Sequence, residues 1–562
     1  MSITDWIVMI SVLLCIILYG IYKSRTTKNL EGYFLSNRSL PWFLVLMSIM
    51  GTQASAITFL TGPGQAYSDG MRFVQYYFGL PLAMIVISIF FVPVYNKLKV
   101  YTAYEFLEKR FDIKTRTFTS FLFLLSRGLS TGVSIYAPAL ILSSIMSWNI
   151  YYTNVIMGGV LIIYTMSGGA KAVAYTQVLQ MIIVFISLFL VGYIAVSLLP
   201  GDIGFKEAID EAGKLGKMNV ITTGMKDGNF DWKDKYNIWS GVIGGFFLAL
   251  SYFGTDHSQV GRYLTAKSVR ESRKGLLMNG VVKVPMQFCI LLIGVLIFSF
   301  YLYKKAPVYF DDTKIAAAQQ TVYKDTLQKI EQNYTASFTA GDKVNADKYR
   351  QDYKIVLKSA LPGQDNNDNN YIFLRFVKDN LPVGLIGLLF AVIFLAAWGS
   401  IAAALNSLAA CTMVDFHKQF FIKKDTQLNE YKISQWYTLG WGIFCIIIAM
   451  FANNIGNSLI ETVNILGSIF YGVILGIFLV AFWIKQIKGN AVFIAAIISE
   501  ILIIVIYRMD IISFLWLNVI GALLVIIMST LIQAILNAMG YNRRGRETQS
   551  LPHPNPSPKE RD

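Results

Sequence analysis

The residues best suited to chemistry lie in an apolar run between about residues 40 and 67. Residues 51–59 (GTQASAITF) combine small residues with four polar ones, Thr52, Gln53, Ser55 and Thr58. Such residues at bilayer depth allow a helix to unwind, and unwound carbonyls are tolerated where they line a cavity or bind an ion. We interpret the stretch as a broken helix of a cation-coupled transporter. Close packing of small residues between neighbouring helices is the alternative.

A later apolar run has the same irregularity. Residues 249–259 (ALSYFGTDHSQ) include a glycine and the pair Asp256–His257. The same irregularity in each half of the chain is consistent with an internal repeat. Because Asp256 and His257 can relay a proton, proton coupling stays an alternative. No nucleophile pattern accompanies His257, His417 follows a predicted helix and His553 lies near the C-terminus, so we do not expect an enzyme.

Two cationic side chains stand inside apolar runs, where they are costly and usually functional. Arg127 can bind a carboxylate through two hydrogen bonds, or it can pair with a neighbouring side chain. Lys283, within VVKVP at 281–285, either lies near a bound solute or extends its ammonium toward the interface.

The composition is that of a membrane protein. Of 562 residues, 55% are hydrophobic and 15% charged, and the net charge of +15 is spread over short clusters between apolar runs. That distribution argues against a nucleic-acid-binding stripe. The four cysteines fall singly within apolar segments, without metal-ligand or disulfide spacing.

We expect about thirteen transmembrane helices, since roughly 20 apolar residues cross a bilayer. The runs lie near 4–22, 41–67, 73–95, 117–144, 151–167, 175–199, 238–264, 276–303, 383–413, 433–452, 458–484, 490–507 and 511–537. Lysine and arginine cluster after the odd-numbered runs, which predicts an external N-terminus and a cytoplasmic C-terminus. The first run has no signal-peptide flanks, so we expect it to be retained.

Two longer connections then fall outside the cell. The second, 304–382, contains a charged tract at 313–358 that predicts solvated helices, either an inert insertion or an external cap. A polar linker follows at 364–370.

Five segments in register resemble the sodium/solute symporter family, whose members transport sugars, sialic acid, proline, vitamins, monocarboxylates and iodide. They are NLEGYFLSNRSLPW at 29–42, SAITFLTGPGQAY at 55–67, YTMSGGAKAV at 164–173, GRYLTAKS at 261–268, and ALNS at 404–407 with Asp415. The resemblance covers about residues 4–540.

The resemblance implies an all-α, LeuT-like fold: a five-plus-five inverted-repeat core with two broken helices. It assigns a first repeat to 41–199 and a second repeat to 238–484, and makes the N-terminal helix and the two helices at 485–540 extra elements. With the sidedness predicted from the basic loops, residues 1–40 are the extra helix with a cytoplasmic loop, 200–237 is an extracellular loop and 304–382 is an extracellular insertion. The composition of the cytoplasmic tail at 541–562 predicts disorder.

In this family sodium sits between the second and ninth helices, held by carbonyls and two serine hydroxyls. The matching positions here are Gly51, Ala54, Ala396, Gly399 and Ser400. Neutral oxygens suit a hard cation. Gly399 replaces a serine and removes one hydroxyl. Water, Thr52 or Ser55 can fill the vacancy, or coupling is weak or lost; close packing of Gly399 and Ser400 is the non-functional alternative.

Some members bind a second sodium through an aspartate on the sixth helix and further hydroxyls on the ninth. Those positions read Gln177, Ala402 and Ala403 here. We therefore expect at most one ion.

The resemblance also implies a midplane solute site. Our candidates are Gln53, Ser55 and Thr58 on the second helix, Gln75 on the third, Arg127 on the fourth, Tyr252 and Phe253 on the seventh and Lys283 on the eighth. Relatives that transport sialic acid bind its carboxylate with an arginine on the fourth helix. Sugar-transporting relatives carry an aromatic gate near Tyr252 and a lysine matching Lys283.

The sequence thus predicts a sodium-coupled symporter for a small carboxylate-bearing or sugar-like solute, in a cell membrane and most naturally a bacterial inner membrane. We expect it to act as a monomer with sodium, solute and lipid as partners, without nucleic acid and with no cofactor besides the coupling ion. A proton-coupled or uncoupled transporter, a channel and a solute sensor on the same fold are the alternatives.

Overall fold

The computed structural model describes residues 1–24, 30–146, 148–363, 367–421, 430–452 and 458–539. Within these ranges the helices are joined by loops, and the only β-strands form a short antiparallel hairpin, Met225–Lys226 with Asn229–Phe230. The described residues include ten helices long and apolar enough to cross a membrane, and three shorter apolar ones. An all-helical membrane protein was predicted, and this class is confirmed. The predicted tail at 541–562 lies outside the described residues.

The spans are numbered here in chain order. The first six are Ile3–Ser24; Trp42–Gln53 with Ala56–Asp69; Leu80–Val86, Ile87–Phe91 and Val92–Leu98; Ile113–Met146; and the fifth and sixth within Ile150–Ser197. The rest are Ser240–Gly244, Gly245–Gly254 and His257–Leu264; Val269–Tyr303; Leu385–Cys411 with Thr412–His417; Glu430–Phe451; Leu459–Trp483; Gly489–Met509; and Phe514–Ala538. Shorter helices are Leu30–Leu35, Ser36–Arg38, Gly70–Tyr77, Glu105–Arg110, Phe205–Lys214 and Lys418–Phe420.

The third span begins later than predicted. Residues Gly70–Tyr77 form a separate 3₁₀ helix, and the α-helix starts at Leu80 with Pro81 in its first turn. Proline fits there because its fixed φ suits a helix and its missing N–H would have no helical partner. Our predicted start at residue 73 was therefore wrong.

The fifth and sixth spans run together as one helical segment that bends. The hydroxyls of Tyr164 and Thr176 lie 2.9 Å apart. Twelve residues of straight helix would separate their backbones by about 18 Å, beyond the reach of these side chains. The segment therefore bends between them, with an apolar window on each side at Ile150–Met166 and Ala170–Ser197.

The ninth span is the centre of the bundle. Every residue from 389 to 411 is buried, and the span packs against the first, second, fourth, sixth and tenth spans. A helix that is apolar all round has to be enclosed. Its run of alanines, with Gly399, lets neighbouring helices approach closely.

The insertion at 304–382 is folded and docked on the bundle. Its helices Lys324–Thr339 and Lys343–Ala360 pack together as a hairpin, flanked by Asp312–Ala318 and Asn369–Asn380. They enclose a small core of their own that includes Tyr309, Leu327 and Leu357. The predicted polar linker is only partly loop, because Asn369 already begins a helix and residues 364–366 lie outside the described ranges.

Candidate ion and solute sites

The second span is interrupted at Ala54 and Ser55. The first half ends at Gln53, both linking residues have non-helical ψ angles of 78° and 173°, and the helix resumes at Ala56. The Ser55 N–H donates to the Gln53 carbonyl at 3.0 Å, and the Thr58 N–H donates to the Ser55 carbonyl at 3.0 Å. In an unbroken helix these donors would serve Gly51 and Ala54. Both predicted sodium-binding carbonyls therefore stand outside the helical ladder.

The ninth span packs against both halves of the second span and carries Ser400. The Ser400 hydroxyl donates to the carbonyls of Ala396 and Ala397, at 2.9 and 3.1 Å, and keeps its oxygen lone pairs for another ligand. Of the five predicted positions, only Ser400 carries a side-chain oxygen.

Gln177 of the sixth span links the two helices. Its Nε2 donates to the Thr52 hydroxyl and to the Gly399 carbonyl, both at 3.2 Å, while its Oε1 accepts from the Ser48 hydroxyl at 2.9 Å. A β-carbon at Gly51 would lie 2.9 Å from Gln177 Cγ, so glycine makes room for this side chain. Thr52 is thereby engaged by Gln177.

The space left by Gly399 is filled from the sixth span. A β-carbon built on Gly399 would lie 2.6 Å from Gln180 Oε1. Gln180 is buried, and its Nε2 has no hydrogen-bond partner among the described residues. The family resemblance indicated the missing serine, but nothing in the sequence indicated that a carboxamide fills its space.

A cavity of about 100 Å³, here called the central cavity, borders the same break. Six predicted solute residues line it: Gln53, Ser55, Thr58, Arg127, Tyr252 and Phe253. The lining also includes residues that we did not predict, from the second span, the 3₁₀ helix Gly70–Tyr77, and the third, seventh and eleventh spans: Ile57, Tyr76, Tyr77, Leu80, Gly245, Leu248, Ala249, Ile460, Val463, Asn464, Gly467 and Tyr471. Gln53 Oε1 is buried without a partner in the described part of the chain.

The seventh span breaks at Thr255 and Asp256. Asp256 caps the second half of the helix, since its carboxylate accepts from the Ser258 N–H at 2.8 Å. Arg127 forms an ion pair with the same carboxylate, with Nε 3.1 Å from Oδ2. The Tyr471 hydroxyl donates to Oδ2 at 2.7 Å and lies 2.6 Å from Arg127 Nη2. Of the two alternatives for Arg127, pairing with a neighbour therefore describes this structure.

The structure places two predicted solute residues outside the central cavity. The Gln75 carboxamide donates to the Thr222 hydroxyl and the Tyr236 carbonyl and accepts from the Thr222 N–H, so it fastens the loop at 200–237. Lys283 is fully buried beside the Tyr77 ring, with Nζ 5.4 Å from the ring centre, and does not extend to the interface. We withdraw both as direct solute contacts.

Two of the unpredicted cavity residues could have been identified from the sequence. Asn464 and Tyr471 are polar positions within the apolar eleventh span, where such residues usually serve a site. Asn464 Oδ1 accepts from the Tyr76 hydroxyl at 3.0 Å, which joins the 3₁₀ helix Gly70–Tyr77 to the eleventh span at the cavity wall.

Comparison with known proteins gives a consistent result. The model of the sodium:solute symporter family matches residues 33–333 and 349–499. The sodium/sialic acid symporter SiaT of Proteus mirabilis (strain HI4320) is 24% identical over 531 residues, 94% of each chain. The sodium/glucose cotransporter of Vibrio parahaemolyticus is 25% identical over 475 residues, 84% of this chain and 78% of that one.

A solved structure supports the fold. It is described as a substrate-bound, outward-open state of a Na⁺-coupled sialic acid symporter, and it superposes with a TM-score of 0.75 at 22% identity. The match covers 95% of this chain and 98% of the other. At this identity the likeness is evidence of fold, and it confirms the predicted LeuT-like class. The family match, which spans most of the sequence, establishes that this chain belongs to the sodium:solute symporter family.

Proposed function

We propose that the protein carries a small organic solute, bearing a carboxylate or sugar-like hydroxyl groups, into the cell by sodium-driven alternating access. The observation that carries the proposal is the shared break in the second span. Gly51 and Ala54 present carbonyls on this break, and Gln53, Ser55 and Thr58 present side chains to the central cavity on the same break. A change of backbone there affects ion and solute together, which is what coupling requires.

We assign one sodium ion to the space between the second and ninth spans. Its ligands are the carbonyls of Gly51, Ala54 and Ala396, the hydroxyl of Ser400 and, at the place left by Gly399, the Gln180 carboxamide oxygen. Five neutral oxygens are a reasonable set for a monovalent hard cation.

A second ion is not part of the proposal. Gln177 is neutral, its amide is already bound to Thr52 and Gly399, and Ala402 and Ala403 are buried without hydroxyls. A site built from these groups would lack both a carboxylate and the hydroxyl ligands.

The solute head group is assigned to the Arg127 side of the central cavity. Nε and Nη2 of Arg127 serve Asp256 and Tyr471, while Nη1 donates to no carboxylate among the described residues. Because the Arg127–Asp256 pair is neutral overall, the remaining donor suits either a carboxylate or a hydroxyl. At the other side, the unpartnered Gln53 Oε1 can accept from a hydroxyl or ammonium group of the solute.

The orientation proposed from the basic loops puts the N-terminus outside and the C-terminus in the cytoplasm of a bacterial inner membrane. In this orientation the insertion at 304–382 faces the outside.

Uptake into proteoliposomes tests the function. Labelled sugars, sialic acid, short carboxylates and amino acids are compared under an inward sodium gradient, a choline control and a proton gradient. If transport is coupled to sodium, one class of solute should accumulate above equilibrium under the sodium gradient and under neither of the other two conditions. This accumulation should be lost in Ser400→Ala. Uptake indifferent to sodium and to this substitution would contradict it, and equilibration without accumulation would indicate a channel or uncoupled carrier.

A further inference from the structure

A second cavity, of about 510 Å³, lies between the insertion and the membrane bundle. We call it the outer cavity. The insertion helix Lys343–Ala360 forms one wall, and the ends of the second and eighth spans, with Tyr67, Phe298 and Tyr301, form another. The described part of the insertion thus encloses a space against the bundle, which an inert insertion would not need to do.

The outer cavity has an excess of positive charge. Its lining includes the four cations Lys217, Lys343, Arg350 and Lys354, against the carboxylates of Asp347 and Asp368. The Asp368 carboxylate already has two hydrogen-bond donors, since it accepts from Lys354 Nζ at 2.7 Å and from the Phe310 N–H at 3.0 Å.

Two of the less exposed cations form no ion pair with a carboxylate among the described residues, although the Asp368 carboxylate also attracts the Arg350 guanidinium. Lys217 Nζ donates to the Ser68 carbonyl at 2.5 Å, and its burial lowers the pKa of its ammonium, although Asp69 and Asp347 oppose the shift. Arg350 Nη1 lies 3.4 Å from the Tyr67 hydroxyl, and its Nε is buried without a partner among the described residues.

Lys217 and Arg350 each lie against the ring of a phenylalanine. Lys217 Nζ lies 4.8 Å from the Phe298 ring centre, and Arg350 Cζ lies 5.3 Å from that of Phe310. Such contacts stabilise a desolvated cation while leaving its donors free for an anion. A ligand with a carboxylate and an apolar or ring-shaped body matches both features.

The outer cavity and the central cavity share one helix. Thr58 lines the central cavity and Tyr67 the outer one, about 13 Å apart along Ala56–Asp69 at 1.5 Å per residue. Between them the Ser458 hydroxyl donates to Gln65 at 2.9 Å, and the Leu459 N–H donates to Asn370 at 3.2 Å. These bonds tie the start of the eleventh span to the second span and to the insertion helix Asn369–Asn380.

We propose that the outer cavity is a binding site for a soluble organic carboxylate, occupied before the solute passes the contacts at Gln65 and Asn370. Binding follows from the charge and aromatic lining of the outer cavity itself. Its role as a staging site rests on the proposed function.

Calorimetric titration of the purified full-length protein tests the site, in zwitterionic lipid nanodiscs and sodium-free buffer. The probes are two matched pairs, benzoate with benzyl alcohol and gluconate with glucose. We expect at least one carboxylate to bind and its neutral counterpart to bind at least tenfold more weakly. Failure of both carboxylates to bind, or equal binding of the neutral partners, would overturn the proposal.

Substitutions locate the binding. Arg350→Gln and Lys217→Gln are each expected to weaken carboxylate binding about tenfold. Lys343 is exposed, and its side chain has no partner within the described ranges. Lys343→Gln should therefore fold normally and weaken carboxylate binding measurably, though by less than tenfold. This variant still tests the site if Arg350→Gln misfolds. Lys358→Gln, exposed on the same helix but outside the lining, is the matched control and should leave binding unchanged.

Two further titrations distinguish the outer cavity from a central-cavity site and from a lipid site. Gln53→Ala, in the central cavity, should leave this binding unchanged; loss there instead would assign the signal to the central cavity and overturn the proposal. Replacing part of the lipid by phosphatidylglycerol should not compete; if it does, the outer cavity is a lipid head-group site and the proposal is wrong. These titrations measure binding and not transport. Failure of sodium-coupled uptake would therefore not affect the evidence for carboxylate binding in the outer cavity. Likewise, failure of carboxylate binding would not affect the evidence for sodium-coupled uptake.

Discussion

Gln180 Oε1 lies 2.6 Å from the position that a β-carbon would take at Gly399. The sixth span thus brings an oxygen to the position where the family resemblance implies a serine on the ninth span. A glycine at 399 and a glutamine at 180 belong together, since a serine side chain and this carboxamide conformation would occupy the same space. On our proposal, the apparent loss of a ligand is a change in which helix provides it.

From this relationship we predict that replacing Gln180 lowers the sodium affinity when residue 399 is glycine, and much less when it is serine. Gln180→Met keeps the length of the side chain but removes its oxygen. A hydrogen bond to a charged group contributes about 1.5–3 kcal/mol, and we take this range as the guide for a sodium ligand. We expect the sodium concentration for half-maximal uptake to rise about tenfold or more. Sodium titration of proteoliposome uptake measures this shift.

The control is a second substitution at the partner position. Gly399→Ser restores a hydroxyl, and the flexible end of Gln180 can move aside to admit it. In the Gly399→Ser background, Gln180→Met should change the half-maximal concentration less than twofold, a coupling that a double-mutant cycle isolates. Equal effects of Gln180→Met in both backgrounds would show that Gln180 is not a ligand.

Sodium stoichiometry is the second prediction. With Gln177 engaged by Thr52 and Gly399, and with alanines at 402 and 403, we expect a sodium Hill coefficient near one. The measurement is the sodium dependence of initial uptake rates at saturating solute. A coefficient near two would require a second ion site elsewhere in the chain.

Gly51 provides a third prediction, on close packing at the ion site. A β-carbon at this position would lie 2.9 Å from Gln177 Cγ and 3.0 Å from its Cβ. Gly51→Ala should therefore displace Gln177 from Thr52 and Gly399 and reduce sodium-driven uptake several-fold.

The companion variant Gly51→Ala with Gln177→Ala relieves the overlap. We expect it to recover part of the sodium affinity, because the carbonyl of residue 51 is kept. If Gly51→Ala alone has no effect on sodium affinity or uptake, the backbone at residue 51 is not constrained as the structure indicates.

The sequence predicted structural features well where the residues that cause a feature lie within it. Small and polar residues around Ala54 and Ser55, and the N-cap Asp256, act through their own backbones, so both breaks were found to within a few residues. It was less informative where a partner comes from far along the chain. Asp256 lies 129 residues from Arg127, and the Gln75 partners Thr222 and Tyr236 lie in a distant loop.

Gln180 illustrates the limit most clearly. In the sequence it is one polar residue in the sixth span, with no motif around it. Its significance depends on the distance between the sixth and ninth spans at Gly399, which packing sets and composition does not reveal.

The Arg127–Asp256 pair supports the last prediction, which separates solute binding from structural support. Asp256 is fully buried at the break of the seventh span, so removing Arg127 alone leaves an uncompensated carboxylate. Breaking a buried pair in this way costs about 3–5 kcal/mol. Arg127→Gln should therefore lower the thermal unfolding temperature as well as abolish uptake.

The double variant Arg127→Gln with Asp256→Asn removes both charges and keeps two amides that can hydrogen-bond. We expect most of the thermal stability to return, as measured by unfolding in detergent, while uptake stays absent because the donor at Nη1 is gone. Sodium-induced stabilisation should persist in this variant, since Gly51, Ala54 and Ser400 are untouched. Recovery of uptake together with stability would mean that Arg127 only supports the broken helix and does not contact the solute.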